Sequence, residues 1–189
     1  RVINAGDIEE HPTQALLDAF TIREERGTLT GMKIAIVGDL LNGRTVHSLI
    51  KLLTNYNVHY YFVSPPDLGL PDEYIEYLKH ASIDNDQITW TITSNLEEVI
   101  PLVDVIYMTR LQKERFTSVD NTNNIDWSSY CINPHNISNA KDNVVIMHPL
   151  PRNEELNTNI DNDPRAAYFR QMENGLYVRM ALIQILLKN

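Results

Sequence analysis

The sequence is poor in cysteine, in positive charge and in long apolar runs, and each shortage removes a class of protein. Its 189 residues hold one cysteine, Cys131. That excludes an intramolecular disulfide framework and a cysteine-built zinc cage, and fits a reducing compartment such as the cytosol. Lys and Arg number 16 against 25 Asp and Glu, a formal net charge of -9. Such a surface repels nucleic acid and anionic membrane, so only a local basic site would reverse the sign for an anionic ligand. No apolar run approaches the ~20 residues that cross a bilayer, and Arg1–Asp7 lacks the apolar core of a secretory signal. The expectation is an untargeted cytoplasmic chain with no nucleic-acid or membrane partner. Gly38, Gly43 and their neighbours match neither G-x-G-x-x-G nor G-x-x-x-x-G-K-[ST], so a nucleotide fingerprint is missing. Histidines 11, 47, 59, 80, 135 and 148 lack ligand spacing and no serine sits in G-x-S-x-G. Neither a metal site nor a hydrolytic triad is therefore expected. An initiator Met is also lacking, and the first residues read as the interior of a domain, so a piece of a longer chain is expected.

What is present is a core-building composition, 43% apolar, laid out as alternating helix and strand. Pro12 to Arg26 carries a helical stripe, Ala15, Leu16, Ala19, Phe20 and Ile22, with Pro12 suited to a first turn and Gly27 to a stop. Met32–Gly38 reads as a buried strand, Arg44 to Tyr56 as a helix, and His59–Val63 as a second strand. A helix over Asp72 to His80, a strand over Ile88–Ile92, a short helix over Leu96–Leu102 and a strand over Val103–Met108 follow. Phe116 to Asp126 is polar and Asn-rich, the composition of a mobile loop. Trp127 to Asn139 is helical in part, Val144–Met147 is a fifth strand, Asn153 to Asp163 is loop, and Arg165 to Lys188 is a long helix strained near Asn174-Gly175. Five strands separated by helices imply an α/β fold, a doubly wound parallel sheet with right-handed crossovers.

In such sheets ligands bind beyond the carboxyl ends of the strands, and the polar motifs here fall at those ends. His11-Pro12-Thr13-Gln14 sets an imidazole and a carboxamide across a helix start, where free backbone N–H groups also attract anions. The pair is suited to polarising a carbonyl and orienting an NH₂ group; equally, His11 simply covers the helix end. Arg44, after Gly43, is either a bidentate receptor for carboxylate or phosphate or a capping guanidinium paired with an acidic neighbour. Arg110 follows a buried strand, with Gln112 on its side of an extended chain, and a cation placed there suits an anionic ligand better than a core. His148-Pro149-Leu150-Pro151-Arg152 is stiffened by two prolines, so its carbonyls form a rigid rim for a ligand amine, with one X-Pro bond a candidate for cis. The same segment also reads as a turn chosen for shape, with His148 as core filler.

Taken together these segments closely resemble the aspartate carbamoyltransferase family. The likeness rests on Asn4-Ala5-Gly6-Asp7, His11–Asp18, Gly43-Arg44-Thr45-Val46-His47-Ser48, Tyr107–Arg115, His148–Arg152 and Pro164–Gln171, in the family's order and from end to end. It implies transfer of a carbamoyl group from carbamoyl phosphate to the amine of L-aspartate, an early step of pyrimidine synthesis, without metal or cofactor. In that role His11 donates to the carbamoyl oxygen and Gln14 addresses the carbamoyl group. Arg44 and Arg110 clamp the aspartate carboxylates, with Thr45 and Gln112 as lesser contacts, and carbonyls around Pro149, Leu150 and Pro151 hold the carbamoyl NH₂ and the attacking amine. A dianionic substrate calls for two guanidiniums, and a carbonyl gaining negative charge calls for fixed donors.

The sister ornithine carbamoyltransferases share His-Pro-x-Gln but lack the Gly-Arg-Thr-Val-His-Ser element and carry Cys where this chain has Pro149. Arg44 would repel a second amine, so aspartate is the expected acceptor. Ile8 departs from the family's usual Gly. The likeness also implies a homotrimer with shared sites, and a carbamoyl phosphate-binding domain carrying a phosphate loop that this sequence does not contain. On that expectation residues 1–27 and 164–189 are bridging helices whose apolar faces need cover, and 28–163 is the aspartate-binding domain. A non-catalytic structural or binding module derived from such an enzyme is the alternative.

Overall fold

The computed structural model describes residues 2–110 and 125–188. Five strands, β1 (Lys33–Val37), β2 (His59–Val63), β3 (Thr89–Thr93), β4 (Val105–Met108) and β5 (Val145–Met147), form one all-parallel sheet in the order β3-β2-β1-β4-β5. Successive residues of each central strand face opposite layers. Ile34 and Ile36 pack with Leu49, Leu53, Tyr60, Phe62 and Tyr107 on one side. Ala35 and Val37 join Val63, Ile106, Met108 and Tyr168 on the other. Burial on both faces is why these strands are continuous apolar runs.

The first layer is covered by α1 (Pro12–Arg26), which packs against α2 (Arg44–Leu53) and α5 (Tyr168–Lys188). Helix α3 (Asp72–Asp84) contributes Leu78 to the same layer, and α4 (Leu96–Val99) contributes Leu96 and Val99 to the other. Pro12 opens α1 and Gly27 ends it, as the sequence predicts.

Helix α3 runs four residues past the expected His80, to Asp84, and four further segments differ from expectation. Helix α2 stops at Leu53 rather than Tyr56, because the next N–H groups reach only three residues back, Asn55 to Leu52 O at 3.3 Å and Tyr56 to Leu53 O at 2.9 Å. The Leu96–Leu102 helix splits into α4 and a 3₁₀ turn over Ile100–Leu102, centred on Pro101, whose ring cannot continue an α-helical ladder. The expected partial helix over Trp127–Asn139 is two 3₁₀ turns, Trp127–Tyr130 and Asn136–Asn139.

The last helix begins at Tyr168, not Arg165, because Arg165 lies in a turn and Ala166 bridges to Ile146 of β5. Ile146 N–H donates to Arg165 O and Ala167 N–H to Ile146 O, both at 2.8 Å. Nor is α5 broken at Asn174-Gly175. It runs through Gly175, where a Cβ would lie 3.1 Å from Leu17 Cδ2 and 2.7 Å from Arg179 Nη1, so the glycine is what lets α5 lie against α1. Among the described residues no helix is long and apolar enough to cross a membrane.

Candidate active site at the carboxyl edge of the sheet

The chain leaves β1 toward β2 on one side and returns through β4 on the other, so the carboxyl ends of β1 and β4 form the switch point of the sheet. Gly38 makes this crevice possible. It has φ of +116°, and a Cβ there would sit 2.6 Å from Thr109 O and 2.7 Å from Thr109 Oγ1. Only a glycine permits the ends of β1 and β4 to approach so closely.

A cavity of about 230 Å³ opens at this edge, and its wall gathers most of the residues singled out in the sequence. His11 and Gln14 come from α1, Arg44 and Thr45 from the start of α2, Thr109 and Arg110 from the end of β4, and His148–Pro151 from the end of β5. Gln112 and residues 116–124 of the expected mobile loop lie outside the described residues. In a chain with net charge -9, Arg44 and Arg110 make this a local positive site. A larger cavity of about 580 Å³ lies across Thr109, lined by Trp127, Tyr130, Cys131, Glu154 and Glu155 among others, with no Lys or Arg among its described lining residues. Its carboxylates repel the anions that the smaller cavity attracts.

His11 is the N-cap residue of α1, yet its side chain caps nothing. Its backbone N–H donates to Ser48 Oγ at 2.8 Å, while Nδ1 is buried without a hydrogen-bond partner. Burial, then the positive charges of Arg44 and Arg179, lowers its pKa from the usual 6.5, so the ring is neutral at pH 7. The covering role left open by the sequence is therefore not the one the imidazole plays. A neutral imidazole beside two guanidiniums is a donor for a substrate oxygen rather than a competing cation. Arg44 Nη1 donates to Asp7 O, which ties the guanidinium to the segment before α1.

The rim at β5 is held from inside. His148 is buried, its backbone N–H donates to Gln171 Oε1 at 2.9 Å, and Nε2 lies 2.9 Å from Glu155 Oε1. Leu150 N–H donates to His148 Nδ1 at 2.9 Å, which leaves the proton on Nε2. Leu150 has φ of 53° and the Leu150-Pro151 bond is cis. A left-handed leucine costs about 1–2 kcal/mol, and here the imidazole holds it. His148 is thus a template for the rim. Arg152 turns away: it forms a two-pronged pair with Asp161 and lies 5.4 Å over the Tyr168 ring.

One feature of the site went unnoticed in the sequence. Asp18 is fully buried behind the cavity, accepting from Gln14 Nε2 (2.9 Å) and Gln171 Nε2 (2.7 Å) at Oδ1, and from Tyr107 OH (2.7 Å) at Oδ2. The Thr45 side chain also hydrogen-bonds the Tyr107 hydroxyl. A signal existed: Asp18 interrupts the buried stripe of α1 four residues after Gln14, where a charge has no place unless paired. Among the described residues no group of three or more His, Cys, Asp or Glu side chains is arranged to hold a metal ion.

Residues 30–186 match the family model described as aspartate/ornithine carbamoyltransferase, Asp/Orn binding domain. The chain is 52% identical over 185 residues to the multifunctional protein pyr1-3 of Dictyostelium discoideum, covering 97% of this chain and 8% of that protein. It is 48% identical over 188 residues to the chloroplastic aspartate carbamoyltransferase 1 of Pisum sativum, covering 98% of this chain and 47% of that one. Aspartate transcarbamoylase from Trypanosoma cruzi in complex with carbamoyl phosphate and aspartate superposes with a TM-score of 0.89 at 45% identity, over 95% of this chain and 58% of that one. The chain thus spans about half the length of the pea enzyme. With sequence, family model and fold agreeing over nearly its whole length, the chain belongs to the aspartate/ornithine carbamoyltransferase family, as its Asp/Orn-binding domain.

Proposed function

We propose that this chain supplies the aspartate-binding part of an aspartate carbamoyltransferase, which moves the carbamoyl group of carbamoyl phosphate to the α-amine of L-aspartate. The observation that carries the reading is the convergence of His11, Gln14, Arg44, Thr45, Arg110 and Pro149–Pro151 on one cavity. In the reaction the unprotonated amine forms a C–N bond as the C–O bond to phosphate breaks, its proton passes to the departing phosphate, and negative charge gathers on the carbamoyl oxygen. The neutral His11 imidazole donates to that oxygen, the site at which a fixed donor lowers the barrier most. Gln14 and the carbonyls of the Pro149–Pro151 rim orient the carbamoyl NH₂ and the incoming amine. Arg44 and Arg110, from different strand ends, take the two carboxylates, with Thr45 and Gln112 beside them. Positioning and electrostatics are the whole of the protein's part.

The cavity is smaller than the roughly 300–1,000 Å³ of an ordinary small-molecule site, consistent with a site completed from outside this chain. The proposed partner is the carbamoyl phosphate-binding domain of the same protein, seated against α1 and α5. On α5, Met172, Leu176, Met180, Ile183 and Leu187 are all more than half exposed. A row of that size on one helix needs cover. A homotrimer in the cytoplasm is the proposed setting, resting on the family likeness and the single cysteine; chloroplastic relatives exist. Carbamoyl transfer is tested by offering the complete protein carbamoyl phosphate with aspartate or ornithine. Carbamoyl aspartate is expected; carbamoyl ornithine, or no product from either, would overturn the reading.

A further inference from the structure

Gln14 lies between the cavity and Asp18, and Gln171 lies between Asp18 and the backbone of His148. Both amides spend an N–H on the same Asp18 oxygen, at 2.9 Å and 2.7 Å. In its ionised form, held above a pH of about 7, the Asp18 carboxylate only accepts, so it dictates which end of each amide faces it. Gln14 must turn Nε2 inward, so Oε1 points away from Asp18. Gln171 must do the same, so its Oε1 accepts the His148 N–H at 2.9 Å. The remaining oxygen of Asp18 takes the Tyr107 proton, and Tyr107 in turn meets Thr45. A single buried side chain therefore joins four pieces of the cavity wall, from α1, α2, β4 and the end of β5.

We propose that Asp18 is the positioning residue of this site: it holds Gln14 as an acceptor for the carbamoyl NH₂ and, through Gln171, fixes the β5 rim that lines the same cavity. The inference rests on the carbamoyl-transfer reading and says how that site is kept in register. Asp18 does not touch substrate. An asparagine at this position keeps the shape but puts an NH₂ in place of one accepting oxygen, so either Tyr107 must turn its hydroxyl or both glutamines, which share the other oxygen, must turn their amides. If Gln14 turns, it presents NH₂ to the substrate NH₂.

The experiment is a double-mutant cycle in the complete protein, with kcat and KM for both substrates and the melting temperature of each variant. Asp18→Asn is expected to lower kcat/KM for carbamoyl phosphate by roughly 10- to 100-fold, the scale of an ångström-level misplacement. In a Gln14→Ala background the same change should cost at least ~5-fold less, because the two residues act as a unit. Gln171→Leu, read in the same cycle, serves if Asp18→Asn fails to fold, and is expected to be non-additive with Gln14→Ala in the same way. Additive losses, or a lowered melting temperature with kcat/KM intact, would overturn the positioning role alone. No transfer by the unsubstituted protein would instead overturn the function beneath it.

Discussion

Glu155 and His148 fix each other: the Glu155 carboxylate sits 2.9 Å from His148 Nε2 and also accepts the Asn153 N–H at 2.9 Å, while Nδ1 of the same ring accepts from Leu150. Burial alone would raise the Glu155 pKa, but these hydrogen bonds outweigh it and hold it below the ordinary 4.5. A depressed carboxylate stabilises the fold above its unfolded pKa and loses that contribution as pH falls through the folded value. Glu155→Ala should therefore cost about 2 kcal/mol at pH 7, shrinking below pH 4.5. Urea unfolding across pH 3–7 measures it; a gap independent of pH would contradict the pairing.

Asp18 has the opposite sign. Burial pushes its carboxyl from 3.8 up to about 7, against the pull of Tyr107 on β4, Gln171 and Arg179 on α5, and Gln14 on its own helix. Between those two pH values the folded state binds more protons than the unfolded chain, so stability falls as pH rises through about 7. Asp18→Asn removes that slope. Its melting temperature relative to the unsubstituted protein should climb between pH 5 and pH 8. His11 titrates below 6.5 in both proteins and drops out of the difference. Parallel profiles would show that Asp18 is ionised throughout.

Close approach at the switch point is testable by adding one carbon. Gly38→Ala places a Cβ against the backbone of Thr109 at a φ of +116°, and should cost about 2–4 kcal/mol from overlap and strain together. Gly31→Ala is the control: φ is +79° but nothing lies within 4 Å, so strain alone remains, about 1 kcal/mol. Equal losses would mean that the contact with Thr109 does not matter. Because Arg110 follows Thr109, only the Gly38 variant should also weaken aspartate use.

Much of this was legible in the sequence because local signals agreed. Pro12 and Gly27 bracket α1, β-branched runs mark β1 and β2, and each chemically loaded segment follows a strand. Two things were hidden. Arg165-Ala166-Ala167 has good helix formers, yet pairing with the edge of β5 wins, since unpaired strand edges gain more from a ladder than a helix gains from one extra turn. The other is the Asp18 network, whose members Asp18, Tyr107 and Gln171 are separated by 89 and 153 positions from the hub. Spacing along a chain carries no trace of such a contact, although a lone aspartate on a buried helix face marks where one must exist.

The two arginines of the cavity carry the most direct test of which substrate group each wall receives. Arg44 opens α2 and Arg110 follows β4, while His11 and Gln14 come from α1, and all four line the one cavity. A charge-assisted hydrogen bond is worth about 1.5–3 kcal/mol, or roughly 10- to 150-fold in affinity. Arg44→Ala and Arg110→Ala should each raise KM for aspartate by that factor while leaving carbamoyl phosphate binding within about threefold. Lysine should restore only part of the loss, since a point charge cannot reproduce the planar fork that meets a carboxylate with two parallel bonds. Steady-state kinetics on the complete protein, with each substrate varied in turn, decides the matter. Equal losses for both substrates would move the arginines to the phosphate side, and full rescue by lysine would reduce their part to charge alone.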